Sequence, residues 1–81
     1  MARIDVTAPW YGMTESDSYI QTWLVEAGAT VRAGTPLLVV ETTKAETEIE
    51  SPADGIVGEL LVAADSEVPP GTVLTWIESE S

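Results

Sequence analysis

The chain has 81 residues, of which 14 are acidic and 3 basic, and it contains neither histidine nor cysteine, so its net charge is −11. This charge disfavours nucleic acid and anionic lipid as partners, and no imidazole or thiol is present for catalysis or metal binding. Hydrophobic residues make up 44% of the sequence, which is enough for one small folded domain over residues 1–81. Without histidine or cysteine, most catalysis that depends on the protein's own side chains is excluded.

The pattern along the chain predicts an all-β fold, because 24 of the 81 residues are Val, Ile or Thr and because Gly and Pro divide the chain into short pieces. In chain order, we expect a half-exposed strand at 3–7, apolar strands at 19–25 and 37–40, a second half-exposed strand at 46–50, and apolar strands at 56–62 and 73–77. The four apolar segments should carry the core. No segment has the length of a membrane span or the pattern of an export signal, so we expect a cytoplasmic protein.

The sequence also contains an internal repeat. Residues 20–41 align without a gap on residues 57–78, an offset of 37, and 8 of the 22 pairs are identical. Upstream the offset becomes 43, and six extra residues lie between Gly12 and Tyr19. Gly28 aligns with Asp65, and both residue types tolerate the left-handed conformation of a tight turn. The repeat predicts a flattened barrel or sandwich of two four-stranded antiparallel sheets with quasi-twofold symmetry, with residues 42–45 at one end and the two termini together at the other.

Lys44 is the only lysine, and it lies at the midpoint of the repeat. The flanking strand patterns predict a hairpin with Thr43 and Lys44 at its tip. Such a lysine is compatible with two structural roles. It is either a solvated surface charge or a charged residue that keeps an edge strand from pairing with another chain. Taken in isolation, a lone exposed lysine is more often of that kind; the alternative is covalent attachment, for which an external enzyme would have to deprotonate and position the amine.

The segment Glu41-Thr42-Thr43-Lys44-Ala45 resembles the E-T-D-K-A attachment motif of lipoyl domains, the carriers of 2-oxo acid dehydrogenase complexes. The resemblance extends from about Ile4 to Glu78. It includes Trp23-Leu24-Val25, Gly28, Val31, Gly34, Leu37, Ser51-Pro52-Ala53-Asp54-Gly55, Val68, Gly71-Thr72-Val73-Leu74 and Ile77-Glu78.

The resemblance implies the hammerhead-like lipoyl/biotinyl fold and lipoate joined to Lys44 as an amide by a lipoyl ligase or an octanoyltransferase. It also implies that Glu41, Thr43 and Ala45 flank the attachment point and contribute to its recognition. The implied partners are a thiamine-diphosphate-dependent 2-oxo acid decarboxylase, an acyltransferase core and the flavoenzyme dihydrolipoamide dehydrogenase. In this interpretation the domain carries acyl groups and electrons without catalysis of its own.

Three features leave alternatives open. Thr43 replaces the family's aspartate, which leaves open which decarboxylase recognises the domain. Gly34 and Gly55 occupy family positions, either as turn glycines or as part of ligase recognition. The loop at 13–18 lies near the lysine in the family and is either a partner-selecting loop or a solvated connection.

Other patterns favour structural roles. We expect the aromatic residues Trp10, Tyr11, Trp23 and Trp76 to pack rather than to bind sugars or bases. The alternating Glu46, Glu48 and Glu50 indicate surface carboxylates rather than a metal site.

Three rival functions remain. Biotin carriers share the fold but have methionines on both sides of the lysine, where this chain has Thr43 and Ala45. The glycine-cleavage carrier is longer and contains helices. An unmodified interaction module, with Lys44 incidental, is the alternative from a different class.

Overall fold

The structure is a computed structural model that describes residues 2–8, 17–42 and 46–79. Within these residues it is built from β-strands, and no helix in this part of the chain is long and apolar enough to cross a membrane. The strands are β1 (Ala2–Thr7), β2 (Ser18–Trp23), β3 (Thr30–Val31), β4 (Pro36–Glu41), β5 (Glu46–Glu50), β6 (Gly55–Val57), β7 (Glu67–Val68) and β8 (Val73–Ser79).

The eight strands form two four-stranded sheets, with strand orders β1-β8-β6-β3 in the first and β5-β4-β2-β7 in the second. Every pairing is antiparallel. The alternating segments predicted at 3–7 and 46–50 are edge strands, as β1 and β5. The predicted all-β architecture of two four-stranded antiparallel sheets is confirmed.

The internal repeat corresponds to a repeat of structure. An offset of 37 places β3 on β7 and β4 on β8, and an offset of 43 places β1 on β5. The strand order of one sheet then becomes the strand order of the other. Backbone hydrogen bonds repeat as well: Leu24 N–H donates to the Leu37 carbonyl at 2.8 Å, and the equivalent bond from Leu61 to Leu74 is 2.9 Å. We call residues related in this way twins.

The turns obey the same symmetry. Gly28 has a φ of 89° and its twin Asp65 has a φ of 67°, the left-handed conformation expected from their alignment. Their amides make twin bonds across the molecule, from Gly28 to the Val57 carbonyl at 2.8 Å and from Asp65 to the Ile20 carbonyl at 2.7 Å. The described ends of the chain are adjacent, since Ala2 pairs with Ser79.

The core lies between the sheets. The twins Leu37 and Leu74 are completely buried, in agreement with the repeat. Leu24 and Leu61 lie in segments that were expected to carry the core, yet they are 47% and 45% exposed. Their chain neighbours Val25 and Val62 pack against the core, and alternation directs the two leucines outward. The remaining buried apolar residues are Val6, Ala8, Ile20, Val31, Leu38, Val40, Val57, Val68 and Ile77.

The two described tryptophans have different environments. Trp23 packs against the core and donates its indole N–H to the Val62 carbonyl at 3.0 Å. Trp76 lies beneath the Arg3 guanidinium, 4.0 Å from the ring centroid. Trp10 and Tyr11 lie outside the described residues.

Gly55 is the position where a larger side chain should be least tolerated in the first sheet. A Cβ there would collide with the backbone carbonyl of Glu78 and come within 2.8 Å of the Ile77 side chain. We expect Gly55→Ala to lower the free energy of unfolding by about 1–3 kcal/mol, because the paired strand β8 would have to move. Gly28→Asn is the milder control, because nothing lies within 4 Å of the added Cβ and its cost is limited to the left-handed φ of 89°, which Asn tolerates. Urea unfolding of both variants measures the difference, and equal stabilities would contradict the packing argument.

Candidate functional site

The sequence places the candidate attachment residue Lys44, with Thr43 and Ala45, in a segment that lies outside the described residues. The structure does describe both strands that bound this segment. β4 ends at Glu41 and β5 begins at Glu46, and these two residues lie directly opposite each other in the sheet. The predicted hairpin strands are therefore present, and the conformation of the tip remains a prediction.

The base of this hairpin is firmly anchored. β4 is an inner strand, bonded to β5 on one side and to β2 on the other. Its residues Leu37, Leu38 and Val40 are all completely buried. Burial of three large side chains on a strand paired on both sides leaves little freedom at its end. The four-residue segment 42–45 therefore starts and ends at defined points at one end of the second sheet.

One residue from each strand of the second sheet forms a row across this end. Glu46 lies opposite Glu41, Glu41 opposite Tyr19, and Tyr19 opposite Glu67. The three glutamates are exposed and Tyr19 is half-buried, whereas the neighbours Ser18, Ile20, Val40 and Val68 are buried, so the row points away from the core. We call these four residues the acidic row. Like charges directly opposite each other destabilise a sheet, so the Glu41–Glu46 pair is not explained by stability.

Tyr19 is held in the row by Asp65. Its hydroxyl donates a hydrogen bond to Asp65 Oδ1 at 2.5 Å. This bond raises the pKa of Tyr19 above its ordinary value of about 10, and partial burial and the negative charges of Asp65, Glu41 and Glu67 raise it further. The phenol therefore stays protonated and keeps its hydrogen bond at neutral pH.

A shallow groove of about 330 Å³ runs along the acidic row. It is lined by Asp17, Tyr19, Glu41, Thr42 and Glu67. Thr42 is two residues from Lys44 in the chain, so the groove adjoins the candidate attachment segment. We call it the acidic groove.

The structure separates the other sequence-predicted candidates from this site. Gly34 precedes β4, at the opposite end of that strand from Glu41, and its φ of 90° accounts for the glycine by turn geometry. Gly55 lies in the other sheet, where close packing against β8 accounts for it. Any part of either glycine in ligase recognition remains a prediction. Glu46, Glu48 and Glu50 are exposed, and within the described residues no group of acidic side chains has the arrangement of a metal site.

Tyr19 and Glu67 were not singled out by the sequence, and Asp65 was identified only as a turn residue. A signal was present in the repeat, because the twins of these residues are Ile56, Gly28 and Thr30. A position that has an ionisable side chain at the Lys44 end of the molecule, and none at the twin position, is a candidate for function. The loop predicted at 13–18 is described only at Asp17 and Ser18, and its role in partner choice remains a prediction.

The Tyr19–Asp65 bond gives a prediction about alkaline pH. The folded-state pKa of Tyr19 is raised, so the stability that it contributes is complete below about pH 10 and is lost as the pH rises through the folded-state value. In a Tyr11→Phe background, where Tyr19 is the only tyrosine, we expect tyrosinate absorbance to appear at a higher pH than in the unfolded chain. Asp65→Asn should lower that midpoint, whereas the remote charge removal Glu59→Gln should not. An Asp65→Asn midpoint equal to that of the parent would contradict the assignment.

The comparisons with known proteins agree with this geometry. Residues 4–77 match the biotin/lipoyl family model, described as biotin-requiring enzyme. Among curated proteins, the chain is similar to the dihydrolipoyllysine-residue acetyltransferase component of the pyruvate dehydrogenase complex of Corynebacterium glutamicum, with 40% identity over 94% of this chain and 11% of the relative. It is also similar to pyruvate carboxylase of Staphylococcus aureus, with 39% identity over 67% of this chain and 5% of the relative. The chain thus spans only a small part of either relative.

Among solved structures, the chain is similar to the lipoyl domain of the 2-oxoglutarate dehydrogenase complex from Azotobacter vinelandii. The TM-score is 0.80 at 26% identity, and the match covers 96% of this chain and 99% of the other. The whole of that domain therefore has a counterpart in this chain.

Proposed function

Because the chain belongs to the biotin/lipoyl family, we propose that it is a lipoyl carrier domain of a 2-oxo acid dehydrogenase complex, with lipoate on Lys44. The observation that carries the proposal is the position of Lys44 in the fold. The sole lysine falls in the four residues between the opposed ends of β4 and β5, at the midpoint of a structurally duplicated chain. The similarity to the lipoyl domain from Azotobacter vinelandii and to the Corynebacterium glutamicum acetyltransferase component supports lipoate as the attached group.

The chemistry of this end of the molecule suits a covalently attached arm. To form an amide at Lys44, an enzyme must reach the segment that carries this lysine. The described residues on either side of the segment, Glu41 and Glu46, are exposed. Amide formation removes a proton from Nζ, so the attaching enzyme must supply a base as well as an activated carboxyl group. Lipoate, once attached, supplies a dithiolane that carries an acyl group and electrons between active sites.

The domain's own residues provide the anchor, the recognition surface and solubility. The buried residues of β4 hold the base of the arm in place, and Glu41, with Thr43 and Ala45, marks the attachment point. The partners that we propose are a lipoyl ligase or octanoyltransferase, a thiamine-diphosphate-dependent decarboxylase, an acyltransferase core and dihydrolipoamide dehydrogenase. We propose a cytoplasmic location on the ground of composition alone.

A biotin carrier is the second candidate, and the similarity to pyruvate carboxylase favours it. Against it stand Thr43 and Ala45, which occupy the positions of the methionines that flank the lysine in biotin carriers. The covalent chemistry at Lys44 would be the same amide, so only the identity of the attached acid separates the two functions.

Intact mass spectrometry separates the candidates. The chain is incubated with ATP and either lipoate plus a lipoate ligase or biotin plus a biotin ligase, and its mass is measured after each reaction. We expect one lipoyl group, located on Lys44 by peptide mapping, and no biotin. Biotin alone on Lys44 would identify the domain as a biotin carrier of a carboxylase. An unmodified chain in both reactions would favour the unmodified interaction module.

A further inference from the structure

The Asp65 turn and its twin at Gly28 make the same backbone hydrogen bonds but differ in one side-chain bond. Each turn residue donates its amide proton across the molecule, at 2.7 Å from Asp65 and at 2.8 Å from Gly28. Asp65 also has a side-chain partner, since its Oδ1 accepts the Tyr19 hydroxyl at 2.5 Å. The twin of Tyr19 is Ile56, which has no hydroxyl. The carboxylate is thus present only in the half that has the phenol, and we call the bond between them the clasp.

Turn geometry alone does not account for an aspartate at position 65. Among the described residues, Asp65 is the only one other than glycine with a positive φ. Glycine adopts this conformation at lower cost, as Gly28 does in the twin turn. A glycine at position 65 would not supply the acceptor of the clasp, however, so the aspartate is explained by its effect on Tyr19.

Tyr19 has two further hydrogen-bond acceptors beside it. It lies directly opposite Glu41 on one neighbouring strand and directly opposite Glu67 on the other, and the Cβ atoms of directly opposed residues are about 5 Å apart. The pKa of Tyr19 is raised mainly by its bond to Asp65, and the charges of both glutamates raise it further, so all three carboxylates act on the phenol. A phenol has one proton to donate, and the clasp directs that proton to Asp65 instead of to Glu41 or Glu67.

We propose that Asp65 is a positioning residue for the attachment of lipoate to Lys44. It acts by keeping the Tyr19 phenol from bonding to Glu41. The inference rests on the proposed function, in which Glu41 marks the attachment point. A carboxylate that accepts the phenol proton is engaged within the domain and is less available to an enzyme. With the clasp in place, Glu41 stays exposed and available to the attaching enzyme, three residues before Lys44.

The kinetics of attachment test this role with Asp65→Gly, which installs the residue of the twin turn and removes the clasp while the phenol remains. With a lipoate ligase, ATP and lipoate, we expect the KM for the chain to rise about threefold at unchanged kcat. The reason is that the phenol then divides its proton between Glu41 and Glu67, so a smaller fraction of the chain has Glu41 free. Asp65→Asn, which keeps an acceptor oxygen, should leave KM near the parent value. Circular dichroism checks that each variant is folded.

A second substitution separates positioning from a merely structural role. Tyr19→Phe removes the phenol proton, so Asp65→Gly combined with Tyr19→Phe has no phenol that can engage Glu41. We expect this double variant to return to the parent KM, and Tyr19→Phe alone to have the parent KM as well. If Asp65 only stabilised its turn, the double variant would be at least as impaired as Asp65→Gly. Absence of rescue, or a parent KM for Asp65→Gly, would overturn the proposal.

Carbon-13 NMR of the side-chain carboxyl groups tests the same point without an enzyme. At neutral pH we expect the Glu41 carboxyl resonance to differ between Asp65→Gly and the double variant, because only the single variant retains the phenol as a donor. The resonance of Glu59, an exposed residue of the connection between β6 and β7, should be the same in both. Identical Glu41 resonances in the two variants would overturn the proposal.

The role of Asp65 and the carrier function fail in different ways. Lipoylation of the parent on Lys44, with a double variant that is not rescued, would end the role of Asp65 and leave the carrier function intact. A parent chain that accepts no lipoate would end the carrier function, and with it the role of Asp65 in attachment, whatever the NMR comparison shows.

Discussion

Lys44→Arg is expected to abolish lipoylation and to leave the fold unchanged. Arginine keeps the positive charge, but a guanidinium, whose pKa lies well above that of a lysine amine, does not act as the nucleophile. Modification of the parent removes the only lysine charge and takes the formal net charge from −11 to −12, so native electrophoresis should separate modified from unmodified protein. The variant should give a single band at the unmodified position, and its thermal unfolding should match that of the unmodified parent.

The control for this prediction moves the lysine while keeping the composition. Lys44→Arg combined with Arg32→Lys moves the sole lysine to a groove of about 500 Å³ that Arg32 lines together with Thr30 and Asp54. We expect no lipoylation of this chain either, because Glu41, Thr43 and Ala45 do not flank the relocated lysine. Lipoate on the relocated amine would show that the ligase accepts any exposed lysine, and the site assignment would fail.

Leu74→Ala is expected to cause a large loss of stability. Leu74 is completely buried on β8, which pairs with both β1 and β6. Truncation of a buried leucine costs about 2–5 kcal/mol, from lost transfer free energy and from the cavity that remains. Small domains have a total stability of about 5–15 kcal/mol, so the variant should be close to unfolding at 37 °C.

The repeat supplies a matched control for Leu74→Ala. Leu61→Ala makes the same chemical change in the same half of the molecule, and the Leu61 amide even donates to the Leu74 carbonyl, yet its side chain is 45% exposed. We expect a loss below about 1 kcal/mol at this position. Urea unfolding monitored by tryptophan fluorescence gives both values, and similar losses for the two variants would contradict the assignment of the core.

Much of the fold followed from the sequence because the internal repeat shows the same strand and turn pattern twice. The two-residue strands β3 and β7 were not predicted individually, because two residues are too few to show an alternating pattern. The left-handed turn at Asp65 was identified because Gly28 occupies the twin position. Segment 56–62 was predicted as a strand, but regular pairing ends at Val57; beyond it, Gly58 and Leu61 donate single backbone hydrogen bonds to the Trp76 and Leu74 carbonyls of β8.

The candidate site was predictable only in part. Lys44 and Glu41 form a contiguous motif, so the chain order alone identified them. Tyr19, Glu41 and Glu67 come from three separate segments of the sequence, and only strand pairing brings them into one row. Asp65 reaches Tyr19 across 46 positions in the chain.

The sequence by itself determined the strand pattern, the two-sheet symmetry and the one amine available for attachment, because each depends on local alternation, on repeated spacing or on residue type. Tertiary structure decided which apolar residues are buried and which polar residues meet. Leu61 and Leu74 are the same residue type within apolar segments, and only the direction of their side chains relative to the opposite sheet separates them. The acidic row likewise exists only after sheet register is set, because a shift of one residue would turn Tyr19 and Glu67 toward the core.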